Sequence, residues 1–408
     1  MSKGLYMSFK RNNIFGFFFF LILSILGLFF NDSYLALASS ILIYLYIGSL
    51  VERKSNLHMM FFLGFSTFIF LPSLLNWYYL DINFSLYFLT SFVSVFFIAI
   101  TKETKVKFFI DYGKPPKIIF CIFCLFSVVF LFIGFAEAVA PMFAFLIILL
   151  SLCFEQNNFK SNFFYLTIFL LVFATYSLFF WSGFGRTVVL GWLILASLQF
   201  AYSIDFKVNK YAFGLLPGLG STLLADRNFL ELKFSGFESA LNDSAFGPYR
   251  LASTFIEHSN ENSLDISGFW DQIIFTFFIF IPRSFWPDKP YGFGFEYTVQ
   301  NLDASLIDAG HSIAATLIGE HIYYLGYLGI FTAIMFFTIL AFFSKVLYHI
   351  KGLNGNGILL FSTSMMALVW GGMTSFSARV ALSSILFVFL FFLLRRFLTR
   401  KVKIVWSF

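Results

Sequence analysis

Charged side chains are scarce in this sequence: Asp, Glu, Lys and Arg make up 12% of its 408 residues. Soluble domains carry about 25% charged residues, so the composition excludes an ordinary soluble domain. Only three cysteines are present, and all lie in apolar segments, which excludes a disulfide framework. Cys121 and Cys124 form a CxxC without a partner pair, which favours core thiols over a metal site. The sequence also lacks a P-loop, a dinucleotide-binding glycine motif and an HExxH motif.

Apolar residues are abundant instead: they make up 59% of the chain, which contains 66 Phe, and the mean hydropathy is +0.85. Backbone amides in a bilayer must be satisfied locally, so long apolar segments predict helices. The pattern predicts an all-α, polytopic integral membrane protein with about 12 transmembrane helices and one large extracytoplasmic loop. The predicted spans are roughly 14–30, 34–51, 57–75, 83–100, 118–135, 138–154, 162–180, 187–202, 211–225, 321–343, 358–376 and 380–397.

Lys and Arg set the predicted orientation, because they accumulate on cytoplasmic loops. Twenty of the 27 lie at the two termini and on alternate loops, whereas the opposite short loops hold only Arg186 and Arg379. The distribution predicts a multi-pass protein of the cytoplasmic (inner) membrane with both termini in the cytoplasm. The net charge of +6 therefore reflects topology rather than a nucleic-acid partner.

This topology divides the chain into three regions. Residues 1–225 form a transmembrane bundle of about nine spans, 226–320 the extracytoplasmic loop, and 321–408 three spans with a basic cytoplasmic tail. The loop holds 13 Asp or Glu against five Lys or Arg. Its apolar run 273–281 is too short to span and predicts a dip into the outer leaflet or a helix lying on it. The weakest span is 211–225, which contains a proline and three glycines and is expected to be bent or broken.

Two arginines on the extracytoplasmic side run against the topology bias. Arg186 ends the segment Trp-Ser-Gly-Phe-Gly-Arg, whose glycines would let a ligand approach the backbone. Arg283 lies in the stiff stretch Ile-Pro-Arg-Ser-Phe-Trp-Pro-Asp-Lys-Pro. A guanidinium suits bidentate phosphate binding, so both are candidates for holding a lipid diphosphate. The alternatives are snorkelling to lipid phosphates for Arg186 and an interfacial anchor for Arg283.

His311 and Glu320 precede the tenth predicted span. His311 could be a general base near neutral pH, or a solvated loop histidine. Glu320 could orient it, or cap the helix that follows. Glu320 is also a substrate-binding candidate, together with Arg227 and Arg250 in the loop and Arg379 between the last two spans.

Alternative bases are carboxylates of the same loop, Asp243, Glu257 and Glu261, although ordinary surface charges are the simpler interpretation. No metal site is expected. The first outer loop, 31–33, is too short for the acidic metal-binding loop of many lipid-linked sugar transferases, and the acids of 226–320 are scattered singly.

Three elements together resemble the Wzy-type polysaccharide polymerases, which build O-antigen and capsule. They are Gly185-Arg186-Thr187, the stretch 281–290, and the run from His311 through Gly319-Glu320 to Gly326-Tyr-Leu-Gly329. The resemblance is clearest over residues 181–330, and the chain is also similar to the related O-antigen ligases. The resemblance implies a helical transferase architecture like that of the GT-C enzymes.

The resemblance also implies a reaction. Such enzymes take undecaprenyl-diphosphate-linked oligosaccharide repeat units outside the membrane, and a sugar hydroxyl of one unit attacks the anomeric carbon of a growing chain. Arg186 and Arg283 would hold the diphosphate, and His311, by analogy with the ligases, would take the proton. No nucleotide, metal or other cofactor is implied. Expected partners are the lipid-linked substrate, membrane lipids, and a chain-length regulator and flippase of the same pathway. The loop departs from the expected pattern in being acidic overall.

Two other functions stay open. One is an O-antigen ligase, which moves the glycan to another acceptor. The other, from a different class, is a lipid-linked oligosaccharide flippase. A flippase should place charges inside its spans, where this sequence has almost none.

Overall fold

The structure, a computed structural model, describes residues 11–30, 33–52, 55–80, 83–101, 114–133, 139–180, 186–215, 246–259, 264–302, 313–348 and 356–402. Every regular element within these ranges is helical, which confirms the predicted all-α class. A helix satisfies its backbone hydrogen bonds within one segment, and this is what such long apolar segments require.

The helices are numbered here in chain order. They are α1 Arg11–Phe29, α2 Tyr34–Leu50, α3 Asn56–Phe65, α4 Leu71–Leu80, α5 Ser85–Thr101, α6 Lys114–Ile133, α7 Val139–Cys153, α8 Phe159–Phe179, α9 Arg186–Ser203, α10 Gly247–Glu257, α11 Ile266–Phe278, α12 Phe293–Asn301, α13 Thr316–Leu325, α14 Gly329–Tyr348 and α15 Leu359–Val402. A π-helical segment, Ser66–Phe70, joins α3 to α4, and a 3₁₀ turn, Gly326–Leu328, joins α13 to α14.

Within the described ranges, four helical stretches are long and apolar enough to cross a membrane. They are Asn56–Tyr79, Phe159–Phe179, Thr316–Tyr348 and Leu359–Ala378. Six shorter apolar helices accompany them: Gly16–Phe29, Tyr34–Leu50, Ser85–Thr101, Lys117–Ile133, Met142–Cys153 and Val188–Ser203. These stretches overlap most of the predicted spans, while the total of about 12 stays a prediction. Of the span 211–225, only the first residues, up to 215, are described, and they are helical.

The centre of the bundle is built from α3 and the first part of α15. Every residue of α3 is buried, and so is the π-helical segment after it. Gly64 lets α15 approach closely, because a side chain there would meet Val369 and the backbone of Met366. Helices α6 and α8, in contrast, leave large apolar side chains such as Leu125 and Leu171 exposed, as expected of surfaces that face lipid.

The last helix differs from the prediction. The sequence predicted two spans, 358–376 and 380–397, with Arg379 between them. The structure instead has helix α15 from Leu359 to Val402, interrupted only at Gly372, where φ is 72° and ψ is −157°. A left-handed φ of this kind favours glycine. The placement of Arg379 in a loop is therefore wrong: its backbone lies within the helical part after Gly372.

Two helices from the region 226–320 pack against the bundle. Helix α10 contacts α4, α5, α13 and the π-helical segment, and Ala252 on its buried face faces Gly319 of α13. Helix α11 contacts α13 and α15, and the predicted apolar run 273–281 forms its second half and the turn after it. The opposite face of α11 leaves Trp270 and Phe277 exposed.

Candidate functional site

Arg283 lies in the irregular loop between α11 and α12. Its Nη1 donates a hydrogen bond to the carbonyl oxygen of Pro287 (3.2 Å), and its Nη2 donates to that of Pro290 (3.0 Å). The guanidinium also stacks on Tyr291, 3.7 Å from the ring centroid. These contacts use two of the five N–H donors and fix the plane of the group. The side chain is therefore held rigidly by its own loop.

Lys289 is the second cation of this loop, and it is almost completely buried. Its Nζ donates to the carbonyl oxygens of Ile279 (3.2 Å) and Ile281 (2.7 Å). Burial lowers the pKa of Lys289, and the nearby positive charge of Arg283 lowers it further. Neither cation forms an ion pair with any carboxylate in the part of the chain that the structure describes. The loop thus carries two cations against one carboxylate, Asp288, and has a small net positive charge.

Exposed aromatic side chains border this loop. Phe285, two residues after Arg283, is 83% exposed, and Phe280 and Phe278 are also exposed. A positive group beside exposed apolar rings suits the interface of a membrane, where lipid phosphates and acyl chains meet. The term cationic loop is used below for residues 279–291.

A carboxylate that the sequence did not single out lies behind the cationic loop. Glu296 on α12 accepts hydrogen bonds at Oε2 from Tyr324 Oη (2.8 Å) and Gln272 Nε2 (2.9 Å). Its Oε1 accepts from Gln300 Nε2 (3.2 Å). Gln272 also donates to the carbonyl oxygen of Tyr291, whose ring supports Arg283. The available signal was Gln272 itself, a polar residue directly before the apolar run 273–281.

A cluster of aromatic rings packs against Tyr324, which donates a hydrogen bond to Glu296. Phe255, Phe293, Tyr297 and Tyr323 contact one another at centroid distances between 4.9 and 6.1 Å. Phe255 and Phe293 are buried in the core, whereas Tyr297 and Tyr323 are half-buried. The two tyrosine rings could contact the apolar face of a ligand while the half-buried Glu296 accepts hydrogen bonds from its hydroxyl groups. This arrangement suits a sugar better than a purely apolar molecule.

Glu320 lies elsewhere than the sequence predicted. It was expected just before a span, where it would orient His311 or cap the following helix. It is instead the fifth residue of α13, inside the stretch Thr316–Tyr348. Its buried carboxylate accepts hydrogen bonds from the N–H (3.1 Å) and the hydroxyl of Thr374, and it lies close to the N–H of Met373. Glu320 therefore caps the helical part that begins after Gly372, since free N–H groups there attract a negative charge.

The other predicted site residues are only partly visible. Arg186 is the first residue of α9, but its side chain lies outside the described part, as does that of Arg379. Arg227 and His311 lie wholly outside the described residues, together with the alternative bases Asp243 and Glu261. Arg250 and the remaining alternative base, Glu257, are exposed on α10.

The structure does not bring Arg283 and Glu320 into contact. Tyr324, one turn after Glu320 on the same helix face, connects through Glu296 and Gln272 toward Tyr291. Among the described residues, no group of three or more His, Cys, Asp or Glu side chains could hold a metal ion. The candidate site is thus the cationic loop with the Glu296 cluster behind it.

Helices of membrane-spanning length with a polar cluster beside them define the class of this protein as α-helical and membrane-associated. Comparison with protein families, curated proteins and solved structures found no match for the chain.

Proposed function

We propose that this protein is a polysaccharide polymerase of the Wzy type. It joins undecaprenyl-diphosphate-linked oligosaccharide repeat units at the outer face of the cytoplasmic membrane. The observation that carries the proposal is Arg283, a rigidly held guanidinium without a carboxylate partner among the described residues, beside exposed aromatic rings. A lipid diphosphate offers the matching chemistry, because its charge lies next to an apolar chain.

The reaction transfers a glycosyl group. A hydroxyl of the acceptor unit attacks the anomeric carbon of the growing chain, a new C–O bond forms, and the bond to the diphosphate breaks. Undecaprenyl diphosphate leaves with the bonding electrons, and Arg283, together with Arg186 as the resemblance implies, stabilises the negative charge that develops on it. The proton of the hydroxyl passes to a base, for which His311 stays the proposal. Glu296 and its aromatic neighbours would orient the sugars.

Purified protein should polymerise lipid-linked repeat units in excess EDTA. The reason is that guanidinium groups would stabilise the negative charge of the leaving diphosphate without a divalent ion. Chain length is measured by gel electrophoresis of the labelled product. Activity that disappears with EDTA and returns with Mg²⁺ or Mn²⁺ would contradict the metal-independent mechanism. Absence of any lengthening with intact, folded protein would contradict the proposed function.

Replacement of His311 by Ala should lower kcat by about 100-fold or more and change KM little, because a general base acts in the transition state. Steady-state kinetics on purified protein measure the two constants. His258→Ala is the matched control, since this exposed histidine caps the end of α10 through its contact with the Thr254 carbonyl oxygen (2.9 Å). A fully active His311→Ala variant would show that His311 is not the general base and would favour a carboxylate in that role.

A second candidate function is a lipid-linked oligosaccharide flippase, and one observation favours it. The sequence argued against a flippase because charges inside spans were almost absent, yet Glu320 is buried within the stretch Thr316–Tyr348 at a broken helix. Buried carboxylates and interrupted helices are common in transporters. Translocation of labelled lipid-linked repeat units in proteoliposomes, without lengthening, would select this function.

A further inference from the structure

Helix α10 buries polar side chains that make no hydrogen bond of good geometry with the described residues. Tyr249 and Ser253 are one turn apart on the same face and are 1% and 2% exposed. The Tyr249 hydroxyl lies beside the hydroxyls of Ser73 and Ser253. Among the described residues, however, neither the Tyr249 nor the Ser253 hydroxyl makes a hydrogen bond of good geometry. The face that α10 turns toward the bundle is therefore polar but unsatisfied.

The surface opposite α10 has the same character. Tyr87 on α5 is fully buried and donates to the carbonyl oxygen of Ser40 (2.7 Å). The hydroxyl of Ser91, close to that of Tyr87, and the hydroxyl of Thr67 are buried and make no hydrogen bond of good geometry in the described part of the chain. Thr67 belongs to the π-helical segment that α10 contacts. Single π-helical segments inside α-helices are frequent at functional sites.

These hydroxyls are unfavourable for stability as they stand. A buried hydroxyl without a partner has lost its hydrogen bonds to water and gained none in exchange. Apolar residues at the same positions would make a more stable contact between α10 and the bundle. The polar surfaces on both sides are therefore better explained by a ligand that supplies the missing partners when α10 moves away.

The position of this contact suits a ligand from the outer side of the membrane. Ser73 lies about 10 Å along α4 from its end at Leu80, and Ser91 lies about 9 Å along α5 from its start at Ser85, at 1.5 Å per residue. Both therefore lie part-way along their helices, nearer the side where the chain passes from α4 to α5. The charge distribution predicts that this connection faces the extracytoplasmic side.

We propose that α10 covers a saccharide-binding crevice between itself, α4, α5 and the π-helical segment. The crevice takes the hydroxyl groups of the lipid-linked repeat unit, and Tyr249, Ser253 and Ser91 supply neutral donors and acceptors for them. The structure holds the closed form, in which α10 fills the space of the sugar. The inference rests on the proposed function, since it names the part of the same substrate that this surface binds.

Stability provides the first test. Tyr249→Phe and Ser253→Ala remove hydroxyls that lack partners, so each variant should unfold in detergent at a higher temperature than the parent protein. Ser94→Ala is the matched control on α5, because the buried Ser94 hydroxyl has a partner, the carbonyl oxygen of Thr90 (2.7 Å). Ser94→Ala should leave binding unchanged without raising the unfolding temperature. Variants at 249 and 253 that lower the unfolding temperature would overturn the proposal.

Binding provides the second test. The double variant Tyr249→Phe, Ser253→Ala should bind the undecaprenyl-diphosphate-linked repeat unit on the order of tenfold more weakly, a loss of about 1.4 kcal/mol. Its binding of undecaprenyl diphosphate, which has no sugar, should not change. Native mass spectrometry of protein in nanodiscs measures both. Equal loss for the two lipids, or no loss for either, would overturn the crevice.

The two proposals fail separately. If the parent protein lengthens chains and the double variant keeps full preference for the sugar-bearing lipid, the crevice is wrong and the polymerase stands. If the parent prefers the sugar-bearing lipid through Tyr249 and Ser253 but never lengthens chains, the crevice stands and the polymerase is wrong.

Discussion

Replacement of Arg283 by Ala is expected to abolish polymer and leave single lipid-linked repeat units. The variant loses the guanidinium that would meet the negative charge on the leaving diphosphate, an interaction that typically accounts for a 100- to 1,000-fold effect on rate. It also loses the two hydrogen bonds to Pro287 and Pro290 that shape the cationic loop. Gel electrophoresis of labelled glycans from cells, at matched protein levels, separates long chains from single units.

Two further variants distinguish diphosphate binding from loop folding. Arg283→Lys should restore little activity, because an ammonium cannot keep the planar stacking on Tyr291 and two fixed donors at once. Lys289→Met breaks the bonds to the Ile279 and Ile281 carbonyl oxygens in the same loop but leaves the guanidinium in place. If Lys289→Met and Arg283→Ala lose polymer to the same degree, Arg283 serves only to fold the loop. Normal long chains from Arg283→Ala would exclude it from the site altogether.

The sequence could identify Arg283 but not its surroundings. A positive residue between prolines after a short apolar run is visible in the sequence, and the topology rule makes it conspicuous. The bonds to Pro287 and Pro290 depend on the path of an irregular loop, which no periodic pattern encodes. The role of Glu296 could not be predicted for a similar reason. Its partners Gln272 and Tyr324 come from other helices that are distant from it along the chain.

The position of Glu320 shows why a hydropathy pattern can misplace the start of a helix. A carboxylate is penalised inside an apolar window, so the predicted span began one residue after Glu320. The structure offsets that penalty with N–H groups at the helix interruption after Gly372, which lies 52 residues further along the chain. The compensation comes from a remote segment, and a local pattern cannot include it. The all-α class, in contrast, depends only on local apolar runs and was predicted correctly.

The argument against a flippase changes for the same reason. It depended on spans without charge, and Glu320 lies within the apolar helical stretch Thr316–Tyr348. Its carboxylate is, however, already bonded to Thr374 and close to the N–H of Met373. A carboxylate so engaged is explained by helix capping. The polymerase therefore stays the preferred proposal, and the role of Glu320 in holding the interruption can be tested directly.

Replacement of Gly372 by Ala should be the most destabilising small substitution near this interruption. An alanine would have to adopt φ of 72°, and its Cβ would lie 2.8 Å from both Glu320 Cδ and the carbonyl oxygen of Thr316. The strained backbone and the collision together should lower the free energy of unfolding by roughly 2–5 kcal/mol. Thermal unfolding of the purified protein in detergent measures the loss, and Gly247→Ala is the control, because a side chain there meets nothing within 4 Å.

A double variant tests whether the collision with Glu320 is the cause. Glu320→Ala alone should destabilise the protein, because it leaves the N–H of Thr374 buried without its partner. Combined with Gly372→Ala, it removes the side chain that the new Cβ would strike. The double variant should therefore lose less free energy of unfolding than the sum of the two single losses. The contact with the Thr316 carbonyl oxygen remains, and some loss should therefore persist. Strict additivity would mean that Glu320 and Gly372 do not act on one another, and that the carboxylate does not hold the two parts of α15 in the geometry seen here.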